Sequence, residues 1–112
     1  LAEEFESVKK TKDLQAALEK LALHAELVRI KKKTVRAGRG TMRNRKYRRK
    51  VGPLIVVAHT WPLIKSSQNL NIDVVDVRSL NARHLAPGAV AGRLTLFTES
   101  AIDALKEEKL FI

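Results

Sequence analysis

Twelve Lys or Arg residues and no acid occupy the 22 positions from Arg29 to Lys50, RIKKKTVRAGRGTMRNRKYRRK. The rest of the 112-residue chain holds ten basic and twelve acidic residues, so the formal charge of +10 belongs to this one segment. Closely spaced cations neutralise successive phosphates and release the counterions condensed on them, which makes a polyanion the natural partner. From Arg36 onward Arg outnumbers Lys, which suits bidentate phosphate forks and stacking on bases. The candidate contacts are Lys31, Lys32, Lys33, Arg36, Arg39, Arg43, Arg45, Lys46, Arg48, Arg49 and Lys50. Gly38 and Gly40 would let backbone approach phosphate closely, and Tyr47, the only Tyr, is placed to stack on an unpaired base. A solvated tail would carry the same composition, but twelve unrelieved charges ahead of an apolar run would then only destabilise the fold. A nuclear-localisation signal is another reading of any such run. A membrane surface fits poorly, because the run lacks the aromatic and Leu face of an amphipathic anchor.

Other residues offer less. Gly38-x-Gly40 has no third glycine and follows no strand, so it is no dinucleotide loop. Gly88 and Gly92 bracket small residues without a following Lys-Ser/Thr, which reads as a tight connection rather than a phosphate loop. His24, His59 and His84 lack metal-ligand spacing, and Asp73 and Asp76 fall on opposite faces of an expected strand. His59 and His84 would lie near strand ends, where α/β active sites gather, so a small α/β enzyme or nucleotide binder is the rival from another class. Neither residue sits in a catalytic motif, and the sequence therefore assigns no catalytic residue, metal, cofactor or small-molecule substrate. There is no cysteine, which excludes disulfides and thiol catalysis. No apolar run approaches the ~20 residues of a membrane span. The chain begins with Leu and lacks the order of a signal peptide, so it reads as a fragment or processed product.

The elements that must position the basic segment follow from patterning. Thr11 reads as an N-cap with Asp13 in the first turn, and Leu14, Ala17, Leu18, Leu21 and Ala22 share one helical face. Leu27, Val28 and Ile30 continue a second short helix that runs into Lys31–Lys33. Residues 33–50 are expected to be an extended loop, poorly ordered when free, because glycines interrupt a helix and like charges repel. After Gly52-Pro53, the run Leu54–Ala58 predicts a strand buried on both faces of a parallel sheet. Pro62–Asn69 is a crossover helix, Ile72–Val77 a second strand, Ser79–Leu85 a helical turn, and Arg93–Phe97 a third strand. Thr98 caps a last helix with Glu99 in its first turn and Ala101, Ile102 and Leu105 inward. This is an α/β class: a mainly parallel sheet flanked by helices, carrying an extended basic loop. It divides into a helical segment 1–32, a basic loop 33–52 and a βαβ-type core 53–112.

Two longer stretches carry a family likeness. Arg36-Ala37-Gly38-Arg39-Gly40-Thr41-Met42-Arg43-Asn44-Arg45-Lys46-Tyr47, followed by Gly52-Pro53-Leu54-Ile55-Val56-Val57, resembles the signature of large-subunit ribosomal protein L4 in its archaeal and eukaryotic form. Leu85-Ala86-Pro87-Gly88, then Gly92-Arg93 and Phe97-Thr98-Glu99-Ser100-Ala101, resembles that family's second signature, and Phe5-Glu6-Ser7 with Lys10-Thr11-Lys12 matches the start of the same half. The resemblance implies an α/β sandwich and a structural constituent of the large ribosomal subunit that binds its rRNA and supports assembly and translation. It implies rRNA and neighbouring large-subunit proteins as partners, no membrane, and a place in cytoplasmic ribosomes. By matching position the rRNA segment falls on Arg36–Arg49, and Arg93 is a further candidate contact. The chain corresponds to the C-terminal half of the family, without the N-terminal strands and the tunnel-reaching loop. No role passes to Trp61, in the Thr60-Trp61-Pro62 connection. An extra-ribosomal RNA or DNA regulator using the same segment is the alternative within the binding class.

Overall fold

The computed structural model describes residues 1, 3–59 and 62–111, so Thr60 and Trp61 lie outside the described residues. A 3-10 turn, Glu3–Ser7, precedes helices α1 (Thr11–Lys20) and α2 (His24–Lys31). Strands β1 (Lys33–Val35), β2 (Tyr47–Arg49) and β3 (Leu54–Val57) follow, then α3 (Leu63–Gln68) and β4 (Asp73–Asp76). The chain continues through a 3-10 turn at Val77–Ser79, α4 (Ala82–Leu85), a turn at Pro87–Ala89, β5 (Thr95–Phe97) and α5 (Glu99–Glu107).

The apolar run 54–57 forms the middle of a three-stranded sheet ordered β4–β3–β5, parallel throughout. All four of its residues are buried, as a strand covered on both faces requires. Its side chains alternate between two cores. Ile55 and Val57 pack with Phe5, Leu14, Leu18, Leu27, Ile30 and Leu63 on one side. Leu54 and Val56 pack with Val75, Val77 and Ala101 on the other, under α5. The N-terminal helices are thus one wall of the sheet's own core. Each fully buried aliphatic side chain contributes about 1.5–3 kcal/mol, so Leu14 and Leu18 bind α1 to the sheet.

Local signals explain most boundaries. Thr98 caps α5 through its hydroxyl, which accepts from Ala101 N–H at 3.3 Å. Asn81 does the same for α4, accepting from His84 N–H at 3.2 Å. At α1 the sequence reading needs correction: the helix already includes Thr11, and Lys10 stands at the cap without a side-chain bond. The α1–α2 turn is made by Ala22 at φ +60°, a left-handed conformation that lets Leu23 N–H reach Leu18 O at 3.1 Å.

The larger correction concerns residues 33–50. Their two ends pair as strands instead of leaving an open loop. β1 and β2 make an antiparallel ribbon in the register Lys33↔Arg49, Thr34↔Arg48, Val35↔Tyr47. Arg36 N–H to Lys46 O, 2.8 Å, extends it. Repulsion between neighbouring cations is screened because every one of these side chains is exposed to water.

Candidate nucleic-acid interface

The ribbon grows from residues suited to a reversal. Gly38 at φ +83° and Asn44 at φ +59° supply the two left-handed positions its tip needs. Between them, Thr41 bonds back to Gly38 O through its hydroxyl at 2.7 Å. Arg43 N–H and Arg45 N–H both donate to Gly40 O, at 3.2 and 2.9 Å. Gly40 does not offer open backbone: the Arg36 side chain lies across it, with Cδ 2.8 Å from where a Cβ would stand. Arg36 Nε in turn donates to Arg45 O at 3.2 Å, stiffening the tip.

The register sorts the candidate residues. Lys33, Val35, Tyr47 and Arg49 share one face, while Thr34 and Arg48 share the other, with Arg36 and Lys46 following them by alternation. Arg39, Arg43 and Arg45 lie at the tip, and Lys31, Lys32 and Lys50 at the root. All of these cations are exposed, and among the described residues none pairs with a carboxylate. Tyr47 is half exposed, with Lys33 Nζ and Lys46 Nζ 5.8 and 5.6 Å from its ring centroid.

The root is fixed from three sides. Arg29, which the sequence reading did not single out, donates from Nη2 to Val51 O at 2.8 Å and forms a two-pronged bond with Glu26. The Arg29 hydrogen bond holds the Glu26 carboxyl below its usual value against the opposing effect of burial, helped by the charges of Arg29 and Lys50. Asn71 Nδ2 donates to Lys50 O at 2.8 Å. Gly52 passes so close to Asn71 that a Cβ would stand 2.1 Å from its carbonyl oxygen.

Arg93 completes the root, and its placement differs from the expected RNA contact. Its side chain is only 6% exposed. Nε donates to Gly52 O at 2.9 Å, Nη1 to His84 O at 2.8 Å, and Nη2 to Pro53 O and the Asp73 carboxylate. Four of its five N–H donors are engaged inside the protein, which leaves no free two-donor edge for a phosphate fork. No short-range pattern announces this role, because the partners lie 9 to 41 residues away. Among the clefts beside the root, two are lined by several cations and no carboxylate. One, about 200 Å³, lies among Lys31, Lys33, Arg49, Asn69 and Asn71. The other, about 500 Å³, lies among Arg29, Thr34, Arg48, Arg49, Lys50 and Val51.

The strand ends, where an α/β fold places a ligand, hold a residue of this chain. Glu6 Oε1 accepts from Thr98 Oγ1 at 2.7 Å, from Ser100 Oγ, and from Ala58 N–H at 3.3 Å. Burial pushes the Glu6 carboxyl up, but the Ser100, Thr98, Ala58 and His59 hydrogen bonds together hold it below its ordinary value. A carboxylate therefore sits at the N-terminus of α5, where the helix dipole favours an anion. Of the two histidines the enzyme reading relied on, His59 is exposed. His84 lies on α4 with a buried, unpartnered Nδ1.

Fold and site together define a class: a small parallel α/β layer that holds a rigidly rooted, carboxylate-free cationic ribbon out into solvent. Comparison with known proteins makes the class specific, for the chain belongs to the Ribosomal protein L4/L1 family, whose model matches residues 2–108. It is 47% identical over 105 residues to large ribosomal subunit protein uL4 of Methanocaldococcus jannaschii, covering 92% of this chain and 42% of that protein. The proteins of the same name from Methanococcus vannielii and Saccharolobus solfataricus are 44% and 40% identical, over 93% and 96% of this chain. The chain spans about two fifths of the length of these relatives, corresponding to their C-terminal part.

Proposed function

We propose that this chain is the rRNA-binding C-terminal part of a structural protein of the large ribosomal subunit, acting in cytoplasmic ribosomes and without catalysis. The ribbon, residues 33–52 with its root at Lys31 and Lys32, enters the RNA; residues 1–32 and 53–112 form the base that holds it. The observation that carries this reading is the cationic ribbon without a carboxylate partner among the described residues, in a chain of this family. Unpaired exposed cations retain their full attraction for phosphate, and the pinned root removes conformational freedom that binding would otherwise have to remove. Lys31, Lys32, Lys33, Arg36, Arg39, Arg43, Arg45, Lys46, Arg48, Arg49 and Lys50 contact phosphates, and Tyr47 stacks on a base. Gly38 forms the tip, Gly40 lets Arg36 fold across it, and Arg93 holds the base instead of touching RNA. Glu6 at the strand ends supports the non-catalytic reading, because the place of a nucleotide phosphate is taken by the chain's own carboxylate. Neighbouring large-subunit proteins are the further partners.

The test is association with purified large subunits. The full protein co-sediments with them, and a variant with Arg43, Arg45, Arg48 and Arg49 replaced by Ala is lost from the pellet at lower salt. Equal retention of both proteins at every salt concentration refutes the assignment.

A further inference from the structure

The ribbon carries cations on both faces, and a cationic cleft flanks each side of its root. We propose, resting on the RNA-binding reading above, that the ribbon is a wedge between two RNA segments, so that its preferred partner is a helical junction and not a single continuous duplex.

A surface that lies along one duplex needs charge on one face only, because the opposite face meets water. Here Lys33 and Arg49 point to one side and Arg48 to the other. The clefts repeat this division. Lys31 and Lys33 line the smaller one, about 200 Å³, and Thr34 and Arg48 the larger, about 500 Å³, with Arg49 reaching both. Each cleft brings several donors to one wall, as a phosphate run requires. The two sides also differ in chemistry. The Lys33 side carries the exposed Val35–Tyr47 pair, a surface for an unpaired base, whereas the larger cleft has Val51 as its one apolar lining residue beside Thr34 and four cations and suits a backbone. The segments are held apart by one layer of protein, about 10 Å with side chains. Within an uninterrupted duplex no such gap exists, and the A-form major groove is too narrow to admit the ribbon. Where helices meet, strands diverge and a gap of this kind opens.

The experiment measures binding of the full chain to a three-way RNA junction with a few unpaired nucleotides at its centre and to a blunt duplex of the same length. Two variants are compared, Lys31→Ala/Lys33→Ala on the side of the smaller cleft and Arg48→Ala/Lys50→Ala on the side of the larger. The junction, held on both sides at once, binds at least ~10-fold tighter than the duplex and loses at least ~10-fold with either variant. The duplex moves to the intact side and loses less than ~3-fold with either, failing only when both sides are replaced. Circular dichroism of each variant, unchanged because these side chains are exposed, separates contact loss from unfolding. Equal affinity for the two RNAs, or equal losses on duplex and junction, overturns the wedge while leaving RNA binding intact. Failure to bind either RNA removes the RNA reading itself, and the wedge with it.

Discussion

Replacing Arg93 by Ala separates a structural clamp from an RNA contact. In the native protein its guanidinium satisfies Gly52 O, His84 O and Pro53 O and pairs with the Asp73 carboxylate, at 6% side-chain exposure. Hydrogen bonds from a charged donor are worth about 1.5–3 kcal/mol each, and carbonyls left without a partner lose more where water is excluded. Water entering the vacated space recovers part of this, and the Asp73 side chain is 61% exposed, so the ion pair itself adds at most about 1 kcal/mol. The expected loss for Arg93→Ala is therefore about 3–5 kcal/mol. For a domain of about this size 1 kcal/mol moves Tm by roughly 4–8 °C, so the variant melts at least ~12 °C lower or fails to fold. Asp73→Ala, which leaves the three carbonyl bonds in place, shifts Tm by no more than ~8 °C. Thermal unfolding followed by circular dichroism, with urea titration for the free energies, measures both. If Arg93→Ala melts within ~2 °C of the native protein while the salt dependence of RNA binding flattens, Arg93 is an RNA ligand and the clamp is wrong.

Replacing Arg43, Arg45, Arg48 and Arg49 by Ala flattens the salt dependence of single-stranded RNA binding by up to ~0.7 slope units per lost contact, with Tm nearly unchanged; an unchanged slope in filter binding contradicts the ribbon assignment. Gly52→Ala, which sets a Cβ 2.1 Å from Asn71 O, destabilises by at least ~3 kcal/mol in urea titration, since both groups are backbone and neither yields cheaply. The Glu6 carboxyl is held below its ordinary value of 4.5, so its stabilisation is complete above that pH and is lost as pH falls through the lower folded value. Glu6→Gln accordingly removes part of the decline in unfolding free energy below pH ~4.5, a difference seen in urea titrations at neutral and acidic pH.

The parts of the fold legible in the sequence are those set by neighbours along the chain. Leu54–Val57 is apolar at every position, and only a strand covered on both faces uses such a run. Thr98 followed by Glu99 announces the start of α5, and the hydroxyl does bond there. The ribbon escaped notice for a physical reason. Dense like charge and two glycines read as disorder, whereas the decisive quantity is a register of three cross-strand pairs between residues 33–35 and 47–49. Among the candidate site residues, the basic run was visible because composition alone marks it. Arg93 and Arg29 looked like further surface cations; their acceptors are carbonyls that no sequence pattern displays. Glu6 was equally silent, since its partners at Thr98 and Ser100 lie 92 and 94 residues away.

That separation governs the order in which the molecule can be built. Leu1 N–H donates to Phe97 O and Leu1 O accepts from Glu99 N–H, joining the same two ends as Glu6. During synthesis the bonds of Leu1 and Glu6 to the segment Phe97–Ser100 wait until Ser100 has been made, and β3 lacks its β5 neighbour until residues 95–97 exist. Contacts of such sequence separation form slowly, because loop closure must precede any stabilisation. The β1–β2 hairpin needs only its own 17 residues, yet a lone two-stranded hairpin is marginal in water. A nascent chain therefore displays its positive charge well before that charge has a fixed geometry. Polyanions met early encounter a pliable arm, and those met after the last strand closes encounter a rigid one.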